Sequence, residues 1–374
     1  MKKTILFSIL ALALALTSLA KAEMSISGYT EFFAGSADQS IAESSTEHGY
    51  DKAGLDNGNY GRITANYSST LDSGIGVSGT FGMTARDCQG DKTGNCNVVN
   101  WNFVNLSGNF GVVSIGERFA AGHYMMSRMT ASVPTAEPDG GVLGRFYTSD
   151  SGSYGAANEA NYASNSMKIL YATNTFSGFS FAVSYDPNTS NTGQASTADG
   201  QQKAGTTWAS YNDLLSAFAK YSLDIDGVGI ELVYGQQTGN AGQAGSTGTD
   251  PMNDLDETAY SAKLTYGGFS ADYRKNEAGD SGQIKNNNAG NDEGTSVCGE
   301  YAMGNMRIAA CNVETNFTNT SNQSNSSTTR TYAADYNLGG GVTIGAAYFD
   351  VEQESNGATV TDADGIITKL SVGF

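Results

Sequence analysis

Proline is scarce here, with 4 in 374 residues, and histidine (2), tryptophan (2) and cysteine (4) are rarer than chance would give. Two histidines cannot supply the clustered ligands of a typical zinc site. His48 and His123 have no serine or carboxylate arrangement around them that would make a hydrolytic centre. Basic residues are also few: Lys and Arg number 20 against 38 Asp and Glu, so phosphate-neutralising nucleic-acid binding is excluded. Beyond the first two dozen residues no apolar run is long enough to form a membrane-crossing helix. The single glycine-rich match, "GIGVSG" at 74–79, opens at a turn with no helix after it, which excludes a dinucleotide-binding loop.

The one long apolar run is at the start. In "MKKTILFSILALALALTSLAKAE", Lys2 and Lys3 precede an apolar stretch from Ile5 to Leu16, and Ala20-Lys21-Ala22 offers a small–x–small cleavage pattern before Glu23. The expectation is a cleaved signal peptide over 1–22 and one exported domain over 23–374. Removing Lys2, Lys3 and Lys21 leaves 17 basic against 38 acidic side chains, a mature charge of about −21.

What is abundant is glycine (47) and tyrosine (20), a mixture that favours strands and turns. Segments of about ten residues alternate with period two, as in "VGIELVYG" (228–235), "TAYSAKLTY" (258–266), "FSADYRK" (269–275) and "GVTIGAAYF" (341–349). One face carries Val, Ile, Leu, Tyr or Phe. The other carries small or charged residues, including Lys220, Glu231, Lys263, Asp272, Arg274, Glu300 and Arg307. Those charges cannot fill a dry sandwich core and suit a wet lumen.

Connections alternate in length. Seven short ones fall at Asp72–Gly74, Ser107–Gly111, Ser177-Gly178, Asp226-Gly227, Gly267-Gly268, Gly304-Asn305 and Gly339–Gly341. Eight long polar ones fall near 35–58, 85–97, 120–166, 187–212, 238–256, 276–294, 317–328 and 352–363. Fifteen connections predict sixteen strands, an all-β transmembrane antiparallel barrel. Parity agrees: a two-residue turn must switch the apolar face between odd and even positions. Tyr266 to Phe269, Ile225 to Val228 and Met303 to Met306 all do. The three-residue turns from Leu71 to Ile75 and from Leu338 to Val342 preserve parity. The closing segment "GIITKLSVGF" places Phe374, Val372, Leu370, Thr368 and Ile366 on one face, ready to pair with the first strand, "MSISGYTEFFAG" (24–35).

Sixteen strands with an outsized third long connection, and "GNFGVVSIGERF" (108–119) ahead of it, resemble the general porins of Gram-negative bacteria along the whole mature chain. The stretch is similar to a porin pattern G-x-F-G-x-V-x-x-G-R, with Glu117 inserted so that Arg118 is displaced by one residue. The resemblance implies a third loop folded into the lumen, with acids facing a basic wall. Glu137, Asp139, Asp150 and Glu159 are the acids, and Arg62, Arg86, Arg118, Lys168 and Lys369 the wall candidates. Arg145 would tie the loop to the wall. The resemblance also implies a terminal signal at Phe374, Val372 and Leu370 read by the barrel-insertion machinery, a homotrimer, and contact with outer-membrane lipid and lipopolysaccharide. Small hydrophilic solutes and ions would be the cargo, with no catalysis and no cofactor. A transverse field across the constriction would filter them by charge.

Four cysteines in an exported chain allow three pairings. If Gly304-Asn305 is the turn of "CGEYAMGNMRIAAC", Cys298 and Cys311 face each other at a non-hydrogen-bonded pair, where Cα atoms approach to about 4.5 Å. Cys88 and Cys96 then close the second loop. The Asp/Asn-rich loops at 250–257 and 286–294 could hold Ca²⁺ but more commonly are simply solvated. The expected function is passive, cation-preferring diffusion. A substrate-selective channel is the near alternative, requiring an aromatic slide or binding cluster that the sequence does not display. A surface adhesin is the distant one, because connections of about 12 to 47 residues leave no room for a passenger domain.

Overall fold

The structure, a computed structural model, describes residues 23–42, 52–56, 61–85, 99–126, 135, 138, 142–147, 166–189, 211–241, 243–244, 250–285, 292–318 and 323–374. Its wall starts with β1 (Glu23–Ala42), β2 (Gly61–Thr70), β3 (Gly76–Ala85), β4 (Val99–Gly108), β5 (Gly111–Glu117) and β6 (Met167–Ala172). It continues through β7 (Phe179–Asn188), β8 (Tyr211–Ile225), β9 (Val228–Ala241), β10 (Leu255–Tyr266) and β11 (Phe269–Gly279). It ends with β12 (Asp292–Met303), β13 (Met306–Thr318), β14 (Ser324–Gly339), β15 (Val342–Ser355) and β16 (Ala358–Gly373). A further segment, Lys52–Asp56, pairs with β1 above its pairing with β2, so it is the upper part of the β2 stave. Every neighbouring pair is antiparallel, and β1 pairs with β16 from Tyr29↔Gly373 to Ala42↔Thr361, which closes a sixteen-stranded barrel.

The seam shows why the chain ends as it does. Gly28 donates its N–H to the Phe374 carbonyl at 3.0 Å, and Phe374 returns the bond at 2.9 Å, leaving no free strand edge there. Phe374, Leu370 and Ile366 point outward and are exposed, as membrane-facing residues of an isolated barrel must be. Lys369, Ile367 and Gly365 take the inner side, where Ile367 is fully buried. Outward Phe32, Leu232, Tyr234, Leu264, Tyr332, Tyr336 and Tyr348 continue the same apolar belt around the wall. Among the described residues no helix is long and apolar enough to cross a membrane; the strands do the crossing.

The two-residue turns form as parity requires, with Ile225↔Val228, Tyr266↔Phe269 and Met303↔Met306 as closing pairs. At the last short turn the ladder shifts between Asn337 and Gly339, so Val342 faces Gly339. Cys298 faces Cys311 and is bonded to it, with Cα atoms 4.1 Å apart. Cys88 and Cys96 lie outside the described residues.

Several long connections are shorter than the sequence suggests. The expected loop at 352–363 is a two-residue turn at Asn356-Gly357, with Ser355 paired to Ala358. Strands also run into the expected loops at 35–58, 238–256, 276–294 and 317–328, to Ala42, Ala241, Gly279 and Thr318 respectively. Above the apolar belt both faces of a strand are polar, so the period-two signal disappears while the backbone ladder continues. A strand of 20 residues such as β1 exceeds the roughly 9–11 needed to span a bilayer.

Candidate functional site

The inner wall differs from one side of the barrel to the other. Along β8 to β16 several of its charges come in pairs, while buried Glu257 instead accepts from the Gln237 and Asn276 amides at 2.6 and 3.0 Å. Lys220 Nζ lies 3.4 Å from Glu231, and Arg307 bridges Glu300 at 3.4 Å and Asp335 at 2.9 Å. Lys369 lies 3.6 Å from Glu31 across the β1–β16 seam. These pairs sit opposite or diagonal on neighbouring strands, the positions where cross-strand side chains meet.

The β2–β5 side is built otherwise. Arg62 shares its face with Thr64, while Ile63 and Tyr67 point outward. The register Thr64↔Gly82↔Trp101 puts a glycine between them on the inner face, and Arg62 reaches over β3 to lie 4.9 Å above the Trp101 ring. Phe103 is the next inward residue of β4, opposite Gly116. Gly116 has φ +137°, and a Cβ there would come 2.2 Å from the Asn102 carbonyl oxygen and 2.6 Å from Phe103 Cα. Only glycine fits. Arg118 follows Ser114 and Gly116 onto the inner side, which settles the direction that the inserted Glu117 leaves open. Its guanidinium lies 4.9 Å from the Phe103 ring and 5.0 Å from that of Tyr124, and its Nη1 donates to Asn105 Oδ1 at 3.2 Å. Trp101 meets Phe119 edge-on at 5.2 Å, and Phe119 stacks on His123 at 3.6 Å.

Tyr124 and His123 belong to α1 (Ala121–Met125), the start of the third long connection. Ala121 N–H donates to Ser184 Oγ at 2.9 Å and Gly122 N–H to Ser216 Oγ at 3.1 Å, which fixes this turn to the inner side of β7 and β8. Lys168 is buried there, 3.6 Å from Asp186 and donating to the Ser166 and Arg118 carbonyl oxygens. It therefore anchors both ends of the connection to the wall and does not present a free charge. Further on, Thr135 is buried on the inner face of β15: a Cβ on Gly345 would meet its Oγ1 at 2.0 Å. Val142, Leu143, Phe146 and Tyr147 pack with inward Phe33, Phe349, Val351 and Ile367 of β1, β15 and β16. The described parts of the third connection thus touch the inner wall on two opposed sides.

Of the expected constriction residues, Arg62, Arg118, Lys168 and Lys369 are placed, and Arg62 and Arg118 share one cluster. Arg86, Glu137, Asp139, Asp150 and Glu159 lie outside the described residues, and of Arg145 only the backbone is described. The aromatic partners Trp101, Phe103, Phe119 and Tyr124 were not expected. For Trp101 and Phe103 the signal is present as inward odd positions on β4, hidden by bulky residues on both faces of 97–119, whereas Phe119 and Tyr124 lie beyond β5 and carry none. Among the described residues no group of three or more His, Cys, Asp or Glu could hold a metal ion.

A family model described as "Gram-negative porin" matches residues 8–356. No curated protein matches the chain by sequence. Among solved structures, the outer membrane channel DcaP of Acinetobacter baumannii superposes with a TM-score of 0.61 at 11% identity, covering 96% of this chain and 99% of that one. An anion-selective porin from Comamonas acidovorans gives 0.59 at 16% identity, covering 95% and 100%. The trimer form of OmpT, an outer membrane protein of Vibrio cholerae, gives 0.58 at 13%, covering 94% and 99%. Identities this low establish a common fold.

Proposed function

The chain belongs to the family of Gram-negative porins, and from that membership we propose that it forms a water-filled, cation-preferring channel for passive diffusion of small hydrophilic solutes and ions. The observation that carries the reading is the closed barrel whose inner wall bears charge and whose outer wall bears an apolar belt, the outer ion pairs Lys275–Glu277 and Arg330–Asp350 lying toward the long-connection end, so the lumen is fit for water and the belt for lipid. No catalysis or cofactor enters this reading. The third connection narrows the lumen, with Glu137, Asp139, Asp150 and Glu159 as its acids and Arg62, Arg86 and Arg118 as the facing cations. Cys88–Cys96 closes the second loop, and residues 1–22 are a signal peptide removed on export. The insertion machinery reads Phe374, Val372 and Leu370, and the mature barrel sits among outer-membrane lipid and lipopolysaccharide as a homotrimer, the state that the Vibrio protein's description names.

Cation preference follows from the mature charge of about −21. The Comamonas porin is described as anion-selective, so the fold accommodates either sign and the charge distribution must decide. Mature protein reconstituted in a planar bilayer under a KCl gradient should give conductance steps in groups of three and a reversal potential favouring K⁺. A reversal potential favouring Cl⁻ would refute the cation preference alone.

A further inference from the structure

Two described arginines in this barrel lack the ion pairs that Arg307 and Arg330 make. Among the described residues Arg62 makes no side-chain hydrogen bond or ion pair, and Arg118 makes one hydrogen bond, to a neutral asparagine. Arg62 Nε, Arg118 Nε and Trp101 Nε1 are all buried with no acceptor. A guanidinium half out of water, with no counter-charge among the described residues, is costly to hold. The rings beneath offset part of that cost through cation–π contact. They leave each guanidinium with a full positive charge and unused donors, bounded by half-exposed aromatic surface at Trp101, Phe103, Phe119 and Tyr124.

We propose that the Arg62–Trp101–Phe103–Arg118–Phe119–Tyr124 cluster is a binding site for small aromatic carboxylates, a selective element inside the channel. The proposal rests on the reading of this wall as the lining of a channel. A planar carboxylate matches the guanidinium fork, and an attached ring gains an offset or edge-on partner among four aromatic side chains. An inorganic anion would use the arginines alone and leave the rings idle. A neutral aromatic would leave the charge unmet. The anionic ring is the class that uses both, and the net acidity elsewhere makes this a local trap in a pore that otherwise favours cations.

The chain's two tryptophans, Trp101 and Trp208, make a direct readout possible. In a Trp208→Phe variant of the mature barrel in detergent, titration with 4-nitrobenzoate should quench Trp101 fluorescence to saturation. Neutral 4-nitrobenzyl alcohol should give only a linear, non-saturating loss. Benzoate should displace the quencher and acetate at equal concentration should not. Arg62→Gln and Arg118→Gln, each checked for the folded band on an unheated gel, should raise the half-saturating concentration about tenfold, the usual effect of losing one charge-assisted hydrogen bond. Identical curves for acid and alcohol, equal displacement by acetate, or unchanged titrations in both arginine variants would each overturn the proposal. Conductance of the same preparations is read separately, so loss of channel activity with saturable quenching intact would sink the channel reading and leave the site. Conductance without saturable quenching would do the reverse.

Discussion

The two sides of the inner wall solve the same problem in opposite ways. On β8–β16, Arg307 sits between Glu300 and Asp335, and Lys369 meets Glu31, so each cation is neutralised by its own wall. On β2–β5, Arg62 and Arg118 rest on rings and face no carboxylate among the described residues. Paired charges belong to the barrel and hold register between strands. Ring-seated charges are left for the solute, because no carboxylate of the described wall pairs with them. The rings also cost nothing in selectivity, since an aromatic face supports a guanidinium without removing its charge.

The comparison breaks hardest at Gly116. Gly116→Val forces a β-branched residue to φ +137° and drives a Cβ into the Asn102 carbonyl, a loss of about 3 kcal/mol or more. The barrel should fail to give the compact, heat-modifiable band on an unheated gel. A normal band would show that the ring-seated side does not depend on this close approach.

Next in size is the opposite wall. In Gly345→Val the obstructing atom nearest the new Cβ is Thr135 Oγ1, a side chain of the third connection, with the Ala334 carbonyl at 3.0 Å. The ladder of β14 and β15 should survive with about 1–2 kcal/mol lost as the neighbours give way. Single-channel conductance should shift because Thr135 is unseated. Unchanged conductance would separate this contact from the pore.

Arginine replacements sharpen the contrast. Arg307→Gln leaves Glu300 and Asp335 facing each other without their cation, and because the site is partly solvated the cost should be about 1 kcal/mol in urea unfolding. Arg62→Gln removes no ion pair among the described residues and should cost about 0.5 kcal/mol or less. Equal losses would erase the distinction between wall charges and solute charges.

Much of this was legible beforehand, and the reasons are physical. The lower wall reads clearly because lipid on one side and water on the other force alternation, as at Tyr266, Leu264 and Lys263. Turn parity then fixed register well enough to pair Cys298 with Cys311. The upper wall was not legible: Asp350, Glu352 and Glu354 alternate with Val351, Gln353 and Ser355, where Val351 is the one apolar residue, and such a polar segment resembles a loop even though Val351 and Gln353 are buried. The ring-seated cluster escaped for a third reason. Its parts, Arg62 on β2, Trp101 on β4 and Arg118 just past the end of β5, meet only across Gly82 and Gly116, through the absence of side chains, which leaves no periodic mark.

The most direct test of the passive channel is swelling of liposomes carrying the mature protein in neutral sugars. Rates should fall smoothly with sugar mass and be equal for D- and L-arabinose, because a water-filled lumen sorts by size. A strong preference for one enantiomer, or no swelling from protein shown to be folded, would contradict passive diffusion.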